Sequence, residues 1–137
     1  MKKQEFYLQA TICDYINKFY PDVLYRSDLS GIKMTIGQAK LIKLIQKYRG
    51  WPDIIIYEQA QFISDNFDFF YQGLAIEIKN NKSDVYTKFG KLKNNKHIEE
   101  QEKMLKKLRN LGYKAIFGTG FDNIKEEIDN YLKGRQL

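Results

Sequence analysis

The sequence contains one cysteine, Cys13, and one histidine, His97, among its 137 residues. A single cysteine cannot form a disulfide within the chain, and no set of cysteines and histidines has the spacing of a zinc site. A disulfide-stapled fold and a zinc-organised fold are therefore excluded. Cys13 lies among apolar residues and is expected to be a small core residue. His97 falls at the expected start of a helix, where polar residues are common, so we assign it no catalytic role.

Long hydrophobic runs are also missing. The first fifteen residues, MKKQEFYLQATICDY, mix charged and polar side chains with apolar ones, so we expect neither a secretory signal nor a membrane span. The expected location is the cytoplasm. The abundance of lysine, isoleucine and asparagine favours an AT-rich bacterial or phage genome, and hence a bacterial or phage-infected cell.

The remaining composition is that of a globular protein, with 43% apolar residues and a length that suits one domain over residues 1–137. Hydrophobic periodicity and turn residues predict seven elements in the order α, α, β, β, α, β, α. The predicted helices cover 3–19, 35–48, 97–112 and 121–134, and the predicted strands cover 51–63, 67–79 and 113–120.

The net charge of +6 is concentrated in one part of the chain. Residues 79–114 carry eleven basic and four acidic side chains, whereas residues 1–78 carry nine of each sign. Clustered positive charge is expected of a protein that binds a polyanion. A lysine-rich soluble surface would give the same count, and the charge alone favours neither interpretation.

The stretch GLAIEIKNN (73–81) places two charged residues in a strand that should be buried. Alternate residues of a strand share a face, so Glu77 and Lys79 lie on one face and the neighbouring isoleucines on the other. If the central strands form a hairpin about Asp65, residues whose numbers sum to 130 are opposite each other, and Asp53 faces Glu77. Two opposed carboxylates repel unless a cation lies between them. For Glu77 and Lys79 alone, a solvated face with a weak ion pair is the alternative.

A divalent metal ion is the natural partner of two opposed carboxylates. Mg²⁺ takes oxygen ligands and keeps several waters, so two carboxylates and one backbone carbonyl can supply enough protein ligands. The sequence therefore predicts a Mg²⁺ or Mn²⁺ site between the two central strands.

The segments GWPD (50–53) and EIK (77–79), separated by a hairpin, resemble the core of the PD-(D/E)XK nucleases. The form G-x-P-D, then E-x-K, then a downstream glutamine is similar to that of the virus-type replication-repair nuclease (VRR-NUC) family. The resemblance runs from about Glu5 to Leu132, and the order of its short motifs within α-β-β-α-β makes it fairly specific. It implies an α/β, restriction-endonuclease-like core, in which helices flank a mixed central β-sheet.

The resemblance also implies roles for individual residues. Asp53 and Glu77 would hold the metal together with the carbonyl of Ile78, and Lys79 would position or activate the attacking water. A metal bound there polarises the scissile phosphate and lowers the pKa of a bound water. The implied activity is that of a Mg²⁺- or Mn²⁺-dependent endodeoxyribonuclease that leaves a 5′-phosphate and a 3′-hydroxyl.

Gln101 and Glu5 are two further candidates. Gln101 lies on the inward stripe of helix 97–112, together with Met104, Leu105, Leu108 and Leu111. Its place matches the family's active-site glutamine, and a polar residue near a helix start is the alternative. Glu5 shares a helix face with Gln9, and related nucleases often supply a first-helix glutamate to the metal. The alternative for Glu5 is a helix-dipole effect, which favours acidic residues in any first turn.

The segment 80–96 carries five lysines against a single acid, Asp84, and it begins directly after the EIK strand. Such a segment can follow a phosphate backbone without reading base sequence, and it could be disordered without DNA. A merely solvated insertion is the alternative. The candidate DNA-binding residues are Lys82, Lys88, Lys91, Lys93 and Lys96.

The predicted function is structure-selective cleavage of branched, flap or Holliday-junction DNA in replication, repair or recombination. Stand-alone members of the resembled family are often dimers, so we expect a homodimer. Phe67, Phe69, Phe70 and Tyr71 crowd one predicted strand on both faces, which suits a strand covered on both sides or a subunit contact.

Two other functions fit the same core. One is a restriction-type or archaeal-resolvase-like endonuclease, in which dimer geometry would set the spacing of the cuts. The other is a non-catalytic DNA-binding module of this fold. Intact Asp53, Glu77 and Lys79 argue against the module, because a domain freed from catalysis has little reason to retain opposed acids.

Overall fold

The computed structural model describes residues 3–29, 32–63, 65 and 68–134. Its helices are α1 (Lys3–Phe19), α2 (Ile36–Ile45), α3 (Lys96–Asn110) and α4 (Phe121–Lys133), and Lys82–Asp84 form a turn of 3-10 helix. Its strands are β1 (Tyr25–Ser27), β2 (Ile54–Ile56), β3 (Ala60–Ile63), β4 (Asp68–Tyr71), β5 (Leu74–Lys79) and β6 (Lys114–Thr119). None of the described helices is long and apolar enough to cross a membrane.

The central sheet is mixed and has four strands in the order β1-β2-β5-β6. The first two pairs are antiparallel, whereas β5 and β6 are parallel and are joined through α3, as a parallel pair requires a crossover connection. β5 lies between β2 and β6, and all six of its residues are buried. The charged residues of β5 are therefore held in the interior of the protein.

Two hydrophobic clusters support the sheet. The first joins α1 and α4 to β2 and β5, and it includes Ile12, Ile16, Ile54, Ile76, Ile124 and Ile128. The second joins α3 to β5 and β6, and it includes Ala75, Met104, Leu105, Leu108 and Phe117. Cys13, expected in the core, is half-buried against the first cluster.

A polar contact fixes α1 against α4. The hydroxyls of Tyr15 and Tyr20 both donate to Oδ1 of Asp129, at 2.5 and 2.6 Å, and Lys125 Nζ lies 3.0 Å from the other oxygen of that carboxylate. Because α1 is held in this way, the residues of its first two turns have a defined position relative to the sheet.

The prediction of two long central strands is wrong, because each forms two short strands. β3 and β4 make a separate two-stranded sheet. Paired residue numbers sum to 130 between β2 and β5, as predicted, but to 131 between β3 and β4. The additional residue lies in 57–59, opposite 72–73, and such a bulge bends a hairpin away from its sheet. Phe67 lies outside the described residues, while Phe69 and Phe70 of β4 are 44% and 50% exposed.

The ends of two helices also differ from the prediction. α2 ends at Ile45, three residues early, because Gln46 has an extended backbone (φ −117°, ψ 95°). Leu111, assigned to the inward stripe of α3, follows the end of that helix and is 68% exposed. β1 was not predicted, because three residues are too few to show a hydrophobic period.

Candidate active site

Six polar or charged side chains are buried among the described residues: Glu5, Gln9, Asp53, Glu77, Lys79 and Gln101. All of them except Gln9 line a single cleft of about 290 Å³. Charged side chains are rarely buried unless they are paired or bind a metal. This cleft, at the end of the central sheet where β5 finishes, is therefore the candidate active site.

Asp53 is positioned by the backbone around it. The β2–β5 ladder pairs Ile54 with Ile76, so continuing it by one pair brings Asp53 opposite Glu77. The N–H of Ile78 donates to Oδ2 of Asp53 at 2.7 Å. The amide of Gln9 donates to the carbonyl of Asp53 at 3.3 Å. The side chain of Asp53 is thus held by β5, and its main-chain carbonyl is held by α1.

Glu77 is oriented from α3. The side-chain cap of Asn95 accepts hydrogen bonds from the N–H groups of His97 and Ile98, which fixes where the helix begins. Gln101 then faces inward, and its Nε2 donates to Oε1 of Glu77 at 2.6 Å. The other carboxylate oxygen of Glu77, Oε2, is buried and has no hydrogen-bond partner. The contact therefore leaves one oxygen of Glu77 available to a ligand.

Lys79 supplies the one positive charge buried among the described residues. It follows Glu77 on the same face of β5, and its charge partly offsets the rise that burial causes in the pKa values of Asp53 and Glu77. One ammonium group against two carboxylates leaves the site with an excess of negative charge, which suits a bound cation.

The pKa values of both acids are shifted upwards. Burial is the largest cause of the rise in the pKa of Asp53 from 3.8 to about 6, and the Ile78 hydrogen bond opposes it. Burial and then the charge of Asp53 raise the pKa of Glu77 well above its ordinary value. Both pKa values rise because folding has brought two like charges together out of water. Raised carboxylate pKa values in a cleft are typical of functional sites.

The residues fit a hard divalent cation. Buried oxygens without a hydrogen-bond partner include Oε2 of Glu77, Oε2 of Glu5 and Oε1 of Gln101. The donor set is all oxygen, as Mg²⁺ and Mn²⁺ prefer. No group of three or more His, Cys, Asp or Glu side chains suited to a metal occurs in the described part of the chain. Asp53 and Glu77 would supply two carboxylate ligands.

The backbone of Ile78 is oriented for the role that was predicted for it. The N–H and C=O of one strand residue point to the same side of the strand, and the Ile78 N–H points to Asp53. The carbonyl of Ile78 therefore faces the cleft side of β5. Its role as a ligand stays a prediction, as does that of Glu5, which lines the cleft and whose charge raises the pKa of Glu77.

Three residues at the site were not predicted to act there. Gln9 Nε2 also donates to Ser27 Oγ at 2.6 Å and to the Asp28 carbonyl at 2.8 Å, which ties α1 to the end of β1. Asp28 and His97 line the cleft, and His97 Nε2 lies 3.3 Å from Gln101 Nε2. The absence of a catalytic role for His97 stays a prediction. The signal for Gln9 was its position four residues after Glu5 on one helix face.

The lysine-rich segment 80–96 is a folded hairpin. Thr87 N–H donates to the Lys91 carbonyl at 2.7 Å, Lys93 N–H donates to the Val85 carbonyl at 2.8 Å, and Val85 is fully buried. The sequence left open whether this segment is ordered, and in this structure it is. Four of its five lysines are exposed, while Lys93 lines a recess that shares Glu5 and Lys79 with the active-site cleft.

Comparison with known proteins gives one structural match to report. No family model and no curated protein matches the chain. A solved structure described as a VRR_NUC domain protein is similar over 94% of this chain and 88% of that chain, with a TM-score of 0.62 and 22% sequence identity. The predicted resemblance is thereby confirmed at the level of the fold, and so is the predicted mixed central sheet flanked by helices.

Proposed function

We propose that this chain, which has the fold of a VRR_NUC domain protein, is a Mg²⁺- or Mn²⁺-dependent nuclease that hydrolyses phosphodiester bonds in DNA. The observation that supports this most strongly is that the carboxylates of Asp53 and Glu77 are buried in one cleft and that Oε2 of Glu77 has no hydrogen-bond partner. Two opposed carboxylates cost stability, and a site for a divalent cation gives a physical reason for them.

The side chains of the cleft have separate tasks in this reaction. Asp53 and Glu77 would hold the ion, with the carbonyl of Ile78 as a third protein ligand. When bound, such an ion polarises the scissile phosphate and lowers the pKa of a bound water. Lys79 orients the attacking water and offsets the negative charge that develops at phosphorus.

Two neighbouring groups keep this arrangement in place. Gln101 holds Oε1 of Glu77 so that Oε2 stays directed to the ligand, and the Ile78 N–H holds Oδ2 of Asp53. The site is thus set before substrate binds, and preorganised sites of this kind avoid a reorganisation cost during the reaction.

The direct test is incubation of the purified protein with duplex, single-stranded, flap and four-way DNA. We expect cleavage with Mg²⁺ or Mn²⁺ and none with chelator, and more cleavage of flap or four-way DNA than of duplex. Failure to cut any of the four substrates with either metal would favour the non-catalytic module. Regularly spaced double-strand cuts in plain duplex would instead favour a restriction-type enzyme.

The lysine hairpin, residues 80–96, would bind the DNA backbone and direct it to the cleft. Lys88 and Lys91 are exposed, and Lys93 lines the recess that adjoins the active site. Replacing all three by glutamine should weaken binding and lower the slope of log K against log salt by about 2 to 3, because each phosphate contact contributes roughly 0.7–0.9. Fluorescence anisotropy with labelled DNA in chelator, over a series of salt concentrations, measures this slope.

A matched control removes three other lysines, Lys18, Lys114 and Lys133. They lie near the end of α1, at the start of β6 and at the end of α4, which are the ends of those elements remote from the cleft. This control variant should keep the wild-type slope. Equal slopes for the hairpin variant and the wild type would show that the hairpin does not contact phosphates.

We also propose a homodimer, which α2 supports. α2 has ten residues and none of them is buried, and Leu41, Leu44 and Ile45 on one face are 61%, 83% and 80% exposed. An isolated helix of that length is marginal in water, and a contiguous exposed apolar face is typical of an interaction surface. A second copy of the chain is the expected partner of this helix.

Sedimentation tests the dimer. The wild type should sediment as a dimer at micromolar concentration, and the double variant Leu41→Glu, Leu44→Glu should sediment as a monomer, because each glutamate would place a charge in an apolar contact. Lys40→Glu, at an exposed position of the same helix, is the control and should stay dimeric. A monomeric wild type contradicts the proposal, as does a double variant that remains dimeric.

A further inference from the structure

A second cleft adjoins the active site. It has a volume of about 430 Å³, within the range of roughly 300–1,000 Å³ that is typical of small-ligand pockets. Its lining is largely aromatic and aliphatic, and includes Ile45, Tyr48, Trp51, Pro52, Ile55 and Tyr57. We call it the Trp51 pocket.

The Trp51 pocket is continuous with the active-site cleft. Asp28, Gln46, Tyr48 and Trp51 line both of them. Trp51 precedes Asp53 by two residues, so the two Cα atoms are at most about 7 Å apart. A nucleotide whose phosphate lies at Asp53 therefore has its neighbour within reach of the pocket.

The walls of the pocket offer ring surface to a flat ligand. Tyr48 and Tyr57 are 50% and 47% exposed, so their rings are accessible from solvent, whereas Trp51 is half-buried and packs against the second hydrophobic cluster. Nucleobases stack on aromatic side chains regardless of base identity. A half-exposed aromatic wall beside a phosphate-cleaving site is thus suited to a base.

The charge around the Trp51 pocket matches a nucleic acid strand. Arg26 and Lys47 both line it, and the ammonium groups of Lys47 and Lys107 lie 5.3 and 5.1 Å from the centre of the Tyr48 ring. Cations around an aromatic surface combine backbone attraction with stacking, the pattern of proteins that bind single strands. An uncharged apolar partner would not use these cations.

We infer that the Trp51 pocket binds an unpaired nucleobase next to the scissile phosphate. This inference rests on the proposed nuclease function and names its substrate class: strands with an unpaired nucleotide at the cleavage point. In a perfect duplex each base is stacked and paired, and taking it out of the duplex costs free energy. Flaps, junction branch points and single strands offer such a base without that cost.

The first experiment uses Trp51 as its own probe, because it is the sole tryptophan of the chain. The wild-type protein is titrated in chelator with a short single-stranded deoxyoligonucleotide, and separately with an oligomer of the same length in which every nucleotide is abasic. We expect the base-containing strand to change the tryptophan emission in a saturable way, and the abasic strand, which carries the same charge, to change it at least about five-fold less. Equal changes for the two strands would overturn the inference.

The second experiment removes an aromatic wall without changing Trp51. Tyr57→Leu should weaken binding of the base-containing strand by roughly 5- to 100-fold in chelator, as expected for the loss of stacking on one base, and should leave binding of the abasic strand unchanged. Tyr7→Leu, at an exposed tyrosine on α1, is the control and should behave as the wild type. An equal loss for both strands would indicate a structural role for Tyr57 and would overturn the inference.

The outcomes separate this inference from the proposed function. If the wild type cleaves DNA but Tyr57→Leu binds as the wild type does, the nuclease function is supported and the base pocket is contradicted. If the protein distinguishes base-containing from abasic strands but cleaves no substrate, the base pocket is supported and the nuclease function is contradicted. If the tryptophan emission of DNA-free protein instead changes on dilution, and the oligonucleotide has no effect, a second copy of the chain occupies the pocket and the inference is wrong.

Discussion

Asp53→Asn is expected to lower kcat/KM for DNA cleavage by roughly a thousandfold or more. The amide is nearly the same size as the carboxylate and can still accept the hydrogen bond from Ile78 N–H, so the fold should be retained. What disappears is one of the two negative charges that would hold the metal. The measurement is initial cleavage rate against substrate concentration in saturating Mn²⁺, with circular dichroism as the check on folding.

Other substitutions should lower the cleavage rate to different extents. Glu77→Gln should be as damaging as Asp53→Asn, because it removes the second of the two charges that would hold the metal. Gln101→Leu should cost less, since it frees the orientation of Glu77 but keeps its charge. Asp22→Asn, at an exposed aspartate before β1, is the matched control and should cleave at the wild-type rate. A variant lacking Asp53 or Glu77 that cuts as fast as the wild type would falsify the metal assignment.

The same Asp53→Asn variant is expected to be more stable than the wild type at pH 7.5 in chelator. Burial raises the pKa of Asp53 from 3.8 to about 6, which corresponds to roughly 3 kcal/mol of lost folding free energy once the group is ionised. For a chain of this length, that difference corresponds to a melting temperature roughly 10 °C higher in the variant. Thermal unfolding followed by circular dichroism measures it.

The sign of the pH dependence follows from the direction of the shift. Because the folded-state pKa of Asp53 is raised, the native protein binds more protons than the unfolded chain between about pH 4 and pH 6. Wild-type stability should therefore fall as the pH rises through that window, and the raised pKa of Glu77 extends the fall to higher pH. The gain from Asp53→Asn should be small near pH 4, absent below about pH 3 and complete above about pH 7.

Added metal should reverse the order of the two melting temperatures, so that the wild type melts above Asp53→Asn. On the proposed function, Mg²⁺ or Mn²⁺ would bind the folded wild type and stabilise it by mass action, whereas the variant would have lost part of the site and should gain much less. Asp22→Asn should follow the wild type at every pH, with and without metal. An Asp53→Asn protein that melts below the wild type at pH 7.5 in chelator would show that the two carboxylates do not strain the metal-free fold.

Much of this site could be predicted from the sequence. α1 and α4 carry long, regular patterns of apolar residues, and the predicted bounds of α1 agree with the structure. The β2–β5 register could be predicted by counting residues outwards from the expected turn, because the numbers of directly paired residues in an antiparallel pair have a constant sum. Asp53, Glu77, Lys79 and Gln101 could be found because these charged and amide residues also match the order of G-x-P-D, E-x-K and a downstream glutamine in the resembled family.

Other features depend on interactions that the linear pattern does not record. The bulge at 57–59 separates β3 and β4 from the central sheet, and each half of the hairpin is paired in a regular register on either side of it. Gln9 resembles any polar helix residue until its three hydrogen bonds to the ends of β1 and β2 are seen. The lysine hairpin is ordered by its own backbone bonds and by Val85, which local composition does not reveal.

The sequence by itself determined which residues could bear the chemistry, because residue type and strand periodicity assign a carboxylate, an ammonium group and an amide to interior positions. The tertiary structure alone decided what those groups contact: which oxygen of Glu77 is held and which is left open, and that aromatic residues on both sides of Trp51 meet in one pocket. The physical reason is that burial and hydrogen bonding depend on distances between elements far apart in the chain, and those distances exist only after the helices have packed on the sheet.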